Sequence, residues 1–369
     1  MAGSPVSRRA LLAGAMLSAC SHKKASRYQG WLLVASGTEK EIAVADLASF
    51  RRVNSVPLPC AADQLFQAGP SVFALCRDSQ AIIEIDAADF RYKGKIGLPG
   101  KPLAVRLEAG AKTALVLTDA APALLQVDLG AKRVISRLAL PGSPADLDLN
   151  VDVAAITIPA ANSILRVALP AMKAAATNVG VPCSAVRFRR DGKTILAAAG
   201  TAREILAIDA RSGILLTRLP LPVFPSRFCF NADGGQMFVT GAGEDALAIV
   251  SPFQNQVEET ILAGRTPYGM AVSERLNLLF VTNPASGDLT ILDIDTRRVS
   301  ASVHVGEFPG EVLLTPDGEY ALVVDQRSGN VSVVRITTVL DRKVKTKPLF
   351  TVFPTAADAR SALIVPFLS

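Results

Sequence analysis

The feature that most constrains this chain is a repeat. Apolar runs begin near Gly30 (GWLLVAS), Ser71 (SVFALC), Thr113 (TALVLTD), Val151 (VDVAAITI), Thr194 (TILAAAG), Gln236 (QMFVTG), Leu278 (LLFVTN) and Glu319 (EYALVVD), at spacings of 38 to 43 residues. After a short polar turn each is followed by a second run, such as EIAVADL from Glu41, AIIEIDA from Ala81 and LTILDID from Leu289. A third run closes on Pro or Gly in most copies, and a fourth leads into a turn that reads Asp-Gly at 191–192, 233–234 and 317–318. The runs are short and rich in Ile, Leu and Val, which suits strands and is too short for helices. Asp-Gly between apolar runs marks a hairpin, because Gly supplies positive φ and Asp bonds back to its own turn.

Four short antiparallel strands in about 42 residues, with no helical stretch between them, predict an all-β chain folded as a β-propeller. One such unit cannot bury both faces of its sheet, whereas units packed radially do. The repeat count gives eight blades. The single 38-residue spacing, at Val151, leaves seven as the alternative.

Phe238-Val239-Thr240-Gly241 and Phe280-Val281-Thr282-Asn283, with Ser286-Gly287-Asp288 and Pro316-Asp317-Gly318, resemble the YVTN-repeat family of bacterial propellers. The match is strong over about residues 232–336, and the period alone persists in the first half. The resemblance implies that the run before each Asp-Gly turn is the innermost strand of its blade. The chain then begins on a second strand, and Ala359 to Leu368 (ARSALIVPFL) is expected to supply the missing inner one and close the ring.

The first thirty residues read as an address. Arg8 and Arg9 precede the apolar run Ala10–Ala19, which ends at Cys20, the layout of an export signal. Ten apolar residues are roughly half of the ~20 needed to span a bilayer as a helix. Leu17-Ser18-Ala19-Cys20 resembles the bacterial lipobox, which implies lipidation of Cys20, and Ser7 to Leu12 resembles the twin-arginine export motif. The reading is therefore residues 1–19 as signal peptide, 20–29 as a lipidated cysteine with a polar tether, and 30–369 as one propeller domain. It places the protein in the periplasm or cell envelope, held to a membrane by its lipid.

Composition removes several chemistries. Two His and five Cys among 369 residues leave few ligands for copper, zinc or haem, and no cofactor is expected. There is no H-E-x-x-H, G-x-S-x-G or C-x-x-C-H motif. His304 lies in an alternating strand and reads as a structural side chain. Asp146-Leu147-Asp148-Leu149-Asn150-Val151-Asp152 begins like a calcium loop but lacks its Gly and Glu, and reads as a solvated or Arg-paired acidic face. The five turn residues Asp46, Asp86, Asp128, Asp209 and Asp293, which share one position of the repeat, read as turn caps. Net charge is a mild +6 without a long basic block, so no nucleic-acid partner is expected. Arg187–Lys193 and Arg342–Lys347 read as solvated strand edges or loops.

Cys60 and Cys76 flank the first inner hairpin, and a turn centred on Ala68 would set them directly opposite each other, where an oxidising compartment permits a disulfide. Cys183 and Cys229 fall on different repeat positions and are expected to be free and buried.

The loops leading into the inner strands form the mouth of a propeller's channel. They carry Lys101, Asp146, Phe224, Arg227, Arg265, Tyr268, Glu307, Phe308 and Glu311, a mixture of charge and aromatics suited to binding. None of these forms a recognisable catalytic pair. The leading expectation is a monomeric, non-catalytic module that binds an envelope protein, a peptide or a small molecule at this mouth. The alternative is a lactonase or hydrolase of the propeller type, with mouth carboxylates around a divalent cation.

Overall fold

The computed structural model describes residues 28–241, 243–340 and 347–367, and within them the chain forms eight four-stranded antiparallel sheets. Arg8, Arg9, Cys20 and all of the basic segment 342–347 except Lys347 lie outside the described residues. The sheets are the blades of an eight-bladed β-propeller. Their inner strands, from blade 1 to blade 8, are Ala359–Pro366, Gln64–Ala68, Lys101–Leu107, Leu147–Leu149, Ala185–Phe188, Pro225–Phe230, Met270–Ser273 and Pro309–Leu314. Successive inner strands from blade 3 round to blade 2 pack on one another, which places them about the channel.

Blade 1 is the closure. Its inner strand comes from the C-terminus and pairs antiparallel with Gly30–Ser36, Trp31 facing Val365 and Val34 facing Ala362. Both ends of the chain therefore lose their open edges in one sheet. The folded part starts earlier than the tether reading placed it: Tyr28 packs against the cluster that contains Leu322 and Phe353. The short spacing at Val151 has a local cause, since the strand begins at Val153 and Asn150–Asp152 form the turn before it.

The middle strands of each blade are covered by neighbouring blades on both faces, so their apolar runs are continuous; Leu32, Ile83, Phe238 and Phe280 are fully buried. The outermost strands carry more exposed residues, and those at Arg133–Ala139 and Leu215–Pro220 alternate. In the hairpins, Gly192, Gly234 and Gly318 adopt φ of 68°, 73° and 69° and donate their N–H groups to Arg189, Asn231 and Thr315.

The aspartates that end the third strands are turn caps. Asp46, Asp86, Asp128, Asp209 and Asp293 accept backbone N–H groups from Ala48, Ala88, Ala131, Ser212 and Thr296. In seven blades a one-residue register shift separates the third and fourth strands near this turn. Blade 4, which has Ala168 in the aspartate's place, has no shift.

Cys60 and Cys76 are joined by a disulfide with a Cα–Cα distance of 6.1 Å, but they are not a directly opposed strand pair. The hairpin turns between Ala68 and Ser71 and sets Gln64 opposite Leu75, so Cys60 lies in the loop before the strand. The bond ties that loop to the end of the second strand. Cys183 is free and buried and Cys229 free and only half-buried, which corrects its expected burial.

Candidate functional site

Strand register defines two rows of side chains around the channel. The first row, from blade 1 to blade 8, reads Ser361, Gln64, Ala104, Asp146, Ala185, Arg227, Gly269, Glu311. The second row, two residues further along each strand, places Arg106, Asp148 and Arg187 on blades 3, 4 and 5 and small or apolar residues elsewhere, among them Phe66, Cys229 and Leu313.

Acceptors in these rows are used by the next blade. Asp146 and Asp148 accept the backbone N–H groups of Val186 and Phe188 at 3.0 and 2.7 Å, Glu311 that of Ala362 at 2.9 Å, and Ser361 that of Leu65 at 3.2 Å. An inner strand is the edge of its sheet, and these oxygens satisfy donors that it would otherwise leave to water. Asp146 is further held by Arg187 at 2.6 Å and Arg106 at 3.7 Å, and Asp148 by Arg106 at 3.5 Å. The acidic run is thus an Arg-paired face that clamps blade 4 to blade 5. Among the described residues no group of three or more His, Cys, Asp or Glu is arranged to hold a metal ion.

The channel mouth opens into a cavity of about 500 Å3 lined by Asp146, Arg187, Arg227, Phe228, Tyr268 and Met270. A second cavity of about 340 Å3 shares Arg227, Tyr268 and Met270 and continues to Glu311, Gln326 and Arg360. The Arg227 guanidinium lies 3.9 Å from the centre of the Tyr268 ring, a cation–π contact that fixes an otherwise exposed side chain. Glu311 faces the second cavity; burial pushes its carboxyl above the ordinary glutamate range, against the pull of the Ala362 N–H and the positive field of Arg227.

Of the residues expected at the mouth, the structure brings Asp146, Arg227, Tyr268 and Glu311 together and leaves the rest outside the cavities. Lys101 is 3.4 Å from Asp78 at the rim. Arg265 is exposed, and its backbone, rather than its side chain, bonds Ser286 and Ala285. Phe308 is 38% exposed beneath Arg327. Phe224 is covered by Arg203, and Glu307 is exposed.

Sequence reasoning missed three arginines. Arg187 had been read as part of a solvated edge and instead lines the larger cavity. Arg106 sits on the aspartates, and Arg360 in the closing strand pairs with Asp63 at 2.6 Å and Asp358 at 3.4 Å. The signal was present: Arg106, Asp148 and Arg187 share one position of the repeat.

Among the described residues the free thiols are held in their protonated form at neutral pH, because burial pushes Cys183 up to about 12 and Cys229 to about 11. His304 stands on the outermost strand of blade 7, exposed, with Nδ1 3.5 Å from Asp288.

The architecture defines the class, an eight-bladed β-propeller with a charged channel mouth. Solved structures agree on the fold. Dihydro-heme d1 dehydrogenase NirN, in complex with DHE, superposes with a TM-score of 0.75 at 12% identity, over 90% of this chain and 75% of that one. Kuenenia stuttgartiensis hydrazine synthase gives 0.59 at 19% identity, over 74% and 95%. A protein of unknown function from Desulfotomaculum acetoxidans DSM 771 gives 0.61 at 13% identity, over 77% and 98%. No family model and no curated protein matches the sequence. At such identities the likeness is one of fold alone.

Proposed function

We propose that this protein is an exported, lipid-anchored propeller that binds a ligand or partner at its channel mouth, without performing chemistry on it. The observation that carries this reading is Arg227, held on Tyr268 and facing two connected cavities while Asp146 and Asp148 are occupied. A hydrolase of the lactonase type would need carboxylates free to hold a cation or move a proton. Asp146 and Asp148 spend their oxygens on backbone N–H groups and arginines, which favours binding. The Cys60–Cys76 disulfide supports export, since such bonds persist in oxidising compartments. Among the described residues no helix is long and apolar enough to cross a membrane, so attachment falls to Cys20 in this reading.

Two measurements test it. Replacing Cys20→Ser is expected to move the protein from the membrane to the soluble fraction and to abolish incorporation of labelled fatty acid; retention in the membrane would sink the anchor. Envelope extract passed over the immobilised protein is expected to yield a protein or small molecule that the Arg227→Ala/Tyr268→Ala variant does not recover. Equal recovery by both forms would remove the mouth as the binding surface.

A further inference from the structure

We infer that the mouth is built to take an oxyanion, a carboxylate or phosphate group on a partly apolar ligand, with Arg227 as the group that binds it. This rests on the mouth-binding reading and narrows it to a chemical class.

The argument starts from what the first row does elsewhere. Asp146, Glu311 and Ser361 each accept an N–H of the next inner strand, and the other members besides Arg227 are Gln64 and the small residues Ala104, Ala185 and Gly269. Arginine cannot accept, so blade 6 gives up this clamp at Arg227. The hydroxyl behind it follows suit. Thr157 and Thr282 accept the N–H groups of Asp146 and Gly269, whereas Thr240, opposite Arg227 in register, has a buried hydroxyl with no hydrogen-bond partner. Blade 6 therefore lacks both the clamp that blades 1, 4 and 8 use and the hydroxyl contact that blades 4 and 7 use, at the position that presents a cation to the cavity.

That cation is unspent. Arg106, Arg187 and Arg360 are all within 4.0 Å of aspartates, but among the described residues no carboxylate lies that close to Arg227, and its guanidinium donates no hydrogen bond to protein. With one face on Tyr268, its planar N–H fork remains available along the edge. That is the geometry that grips a carboxylate or phosphate bidentately, and a stacked guanidinium gives up less freedom on binding than a loose one. Burial favours the neutral, protonated form of Glu311, the acid nearest in the adjoining cavity, so it opposes an incoming anion less than an exposed carboxylate would. Phe228, Pro267, Tyr268 and Met270 supply apolar wall for the rest of the ligand.

The test uses full-length protein in detergent and three probes of one shape: benzoate, phenyl phosphate and neutral benzamide. Calorimetry is read beside the 15Nε resonance of Arg227. At least one anion is expected to bind saturably and shift that resonance, with benzamide weaker by roughly tenfold or more. The better of benzoate and phenyl phosphate identifies the oxyanion. Arg227→Gln is expected to abolish binding with circular dichroism unchanged, Arg227→Lys to retain part of it, and Tyr268→Leu to weaken it several-fold. Equal binding of benzamide at the same resonance would overturn the oxyanion assignment and leave the mouth reading standing. Undiminished anion binding by Arg227→Gln would overturn it too. So would failure of all three probes to bind, in which case the envelope-extract experiment still judges the mouth by itself.

Discussion

At the scale of single residues, two positions turn local physics into measurable outcomes. Gly329 has φ of +68°, and an added Cβ would sit 1.8 Å from the Ala356 carbonyl oxygen; Gly69 has φ of +58° with nothing within 4 Å. Gly69→Ala should therefore cost only the strain of a left-handed alanine, about 1–2 kcal/mol, and Gly329→Ala clearly more. Denaturant unfolding of both variants checks the order, and equal costs would refute the close approach. Glu311 gives a pH prediction. Its carboxyl is raised in the folded state, so folding is penalised when that carboxyl ionises: the penalty is absent below the ordinary glutamate range and complete above the raised value. Glu311→Gln keeps an acceptor for the Ala362 N–H and removes the charge. The variant should melt higher than the native protein at neutral pH, and the gap should close on acidification through the glutamate range. A gap independent of pH would place the effect elsewhere.

At the scale of elements, the repeat was readable wherever it was written in the letters of a turn. The Asp-Gly hairpins and the five capping aspartates are short-range devices, and each bonds within a few residues of itself. Other parts of the same turns were invisible. The residue four places after the third-strand cap is left-handed as Phe50, Phe90, Lys132, Met172, Asn255 and Arg297, and only Gly213 announces it. Here the turn's i→i+4 bond, as from Phe50 N–H to Asp46 and from Phe90 N–H to Asp86, fixes a conformation that the side chain does not advertise. The disulfide shows the same limit. Its pairing could be read from spacing, but its place depended on the hairpin turning at Gly69–Pro70 rather than about Ala68. It closes a loop over a sequence separation of 16, so Cys60→Ser should destabilise the protein by about 3 kcal/mol. Thermal melts of the variant, and of native protein with and without reductant, check this; a melt insensitive to both would mean that the bond constrains nothing.

At the scale of the whole molecule, the closing strand decides whether there is a ring. Ala359–Pro366 pairs with Gly30–Ser36 and bonds across to blades 8 and 2 through Ala362 and Ser361. Deleting residues 359–369 should expose a strand edge on blade 1 and remove both contacts, giving loss of folded monomer and aggregation by size-exclusion chromatography. A truncated chain that stayed monomeric and melted as the native one does would show that closure is dispensable. The sequence by itself determined the all-β class and a count of eight units against the alternative of seven, because periodicity, turn residues and continuous apolar runs act locally and repeat, while the closing strand followed from the resemblance to the YVTN-repeat propellers. It also pointed to the mouth, but named Lys101, Arg265 and Phe308 beside the residues that line the cavities and passed over Arg106, Arg187 and Arg360. Only the tertiary structure decided which charges are spent and which is not. Asp146 and Val186 lie 40 residues apart, and Arg227 becomes distinctive only when the side chains that surround the channel from eight different blades are seen together. Partnership between charges is a property of distance in space, and a sequence fixes that distance only through the fold.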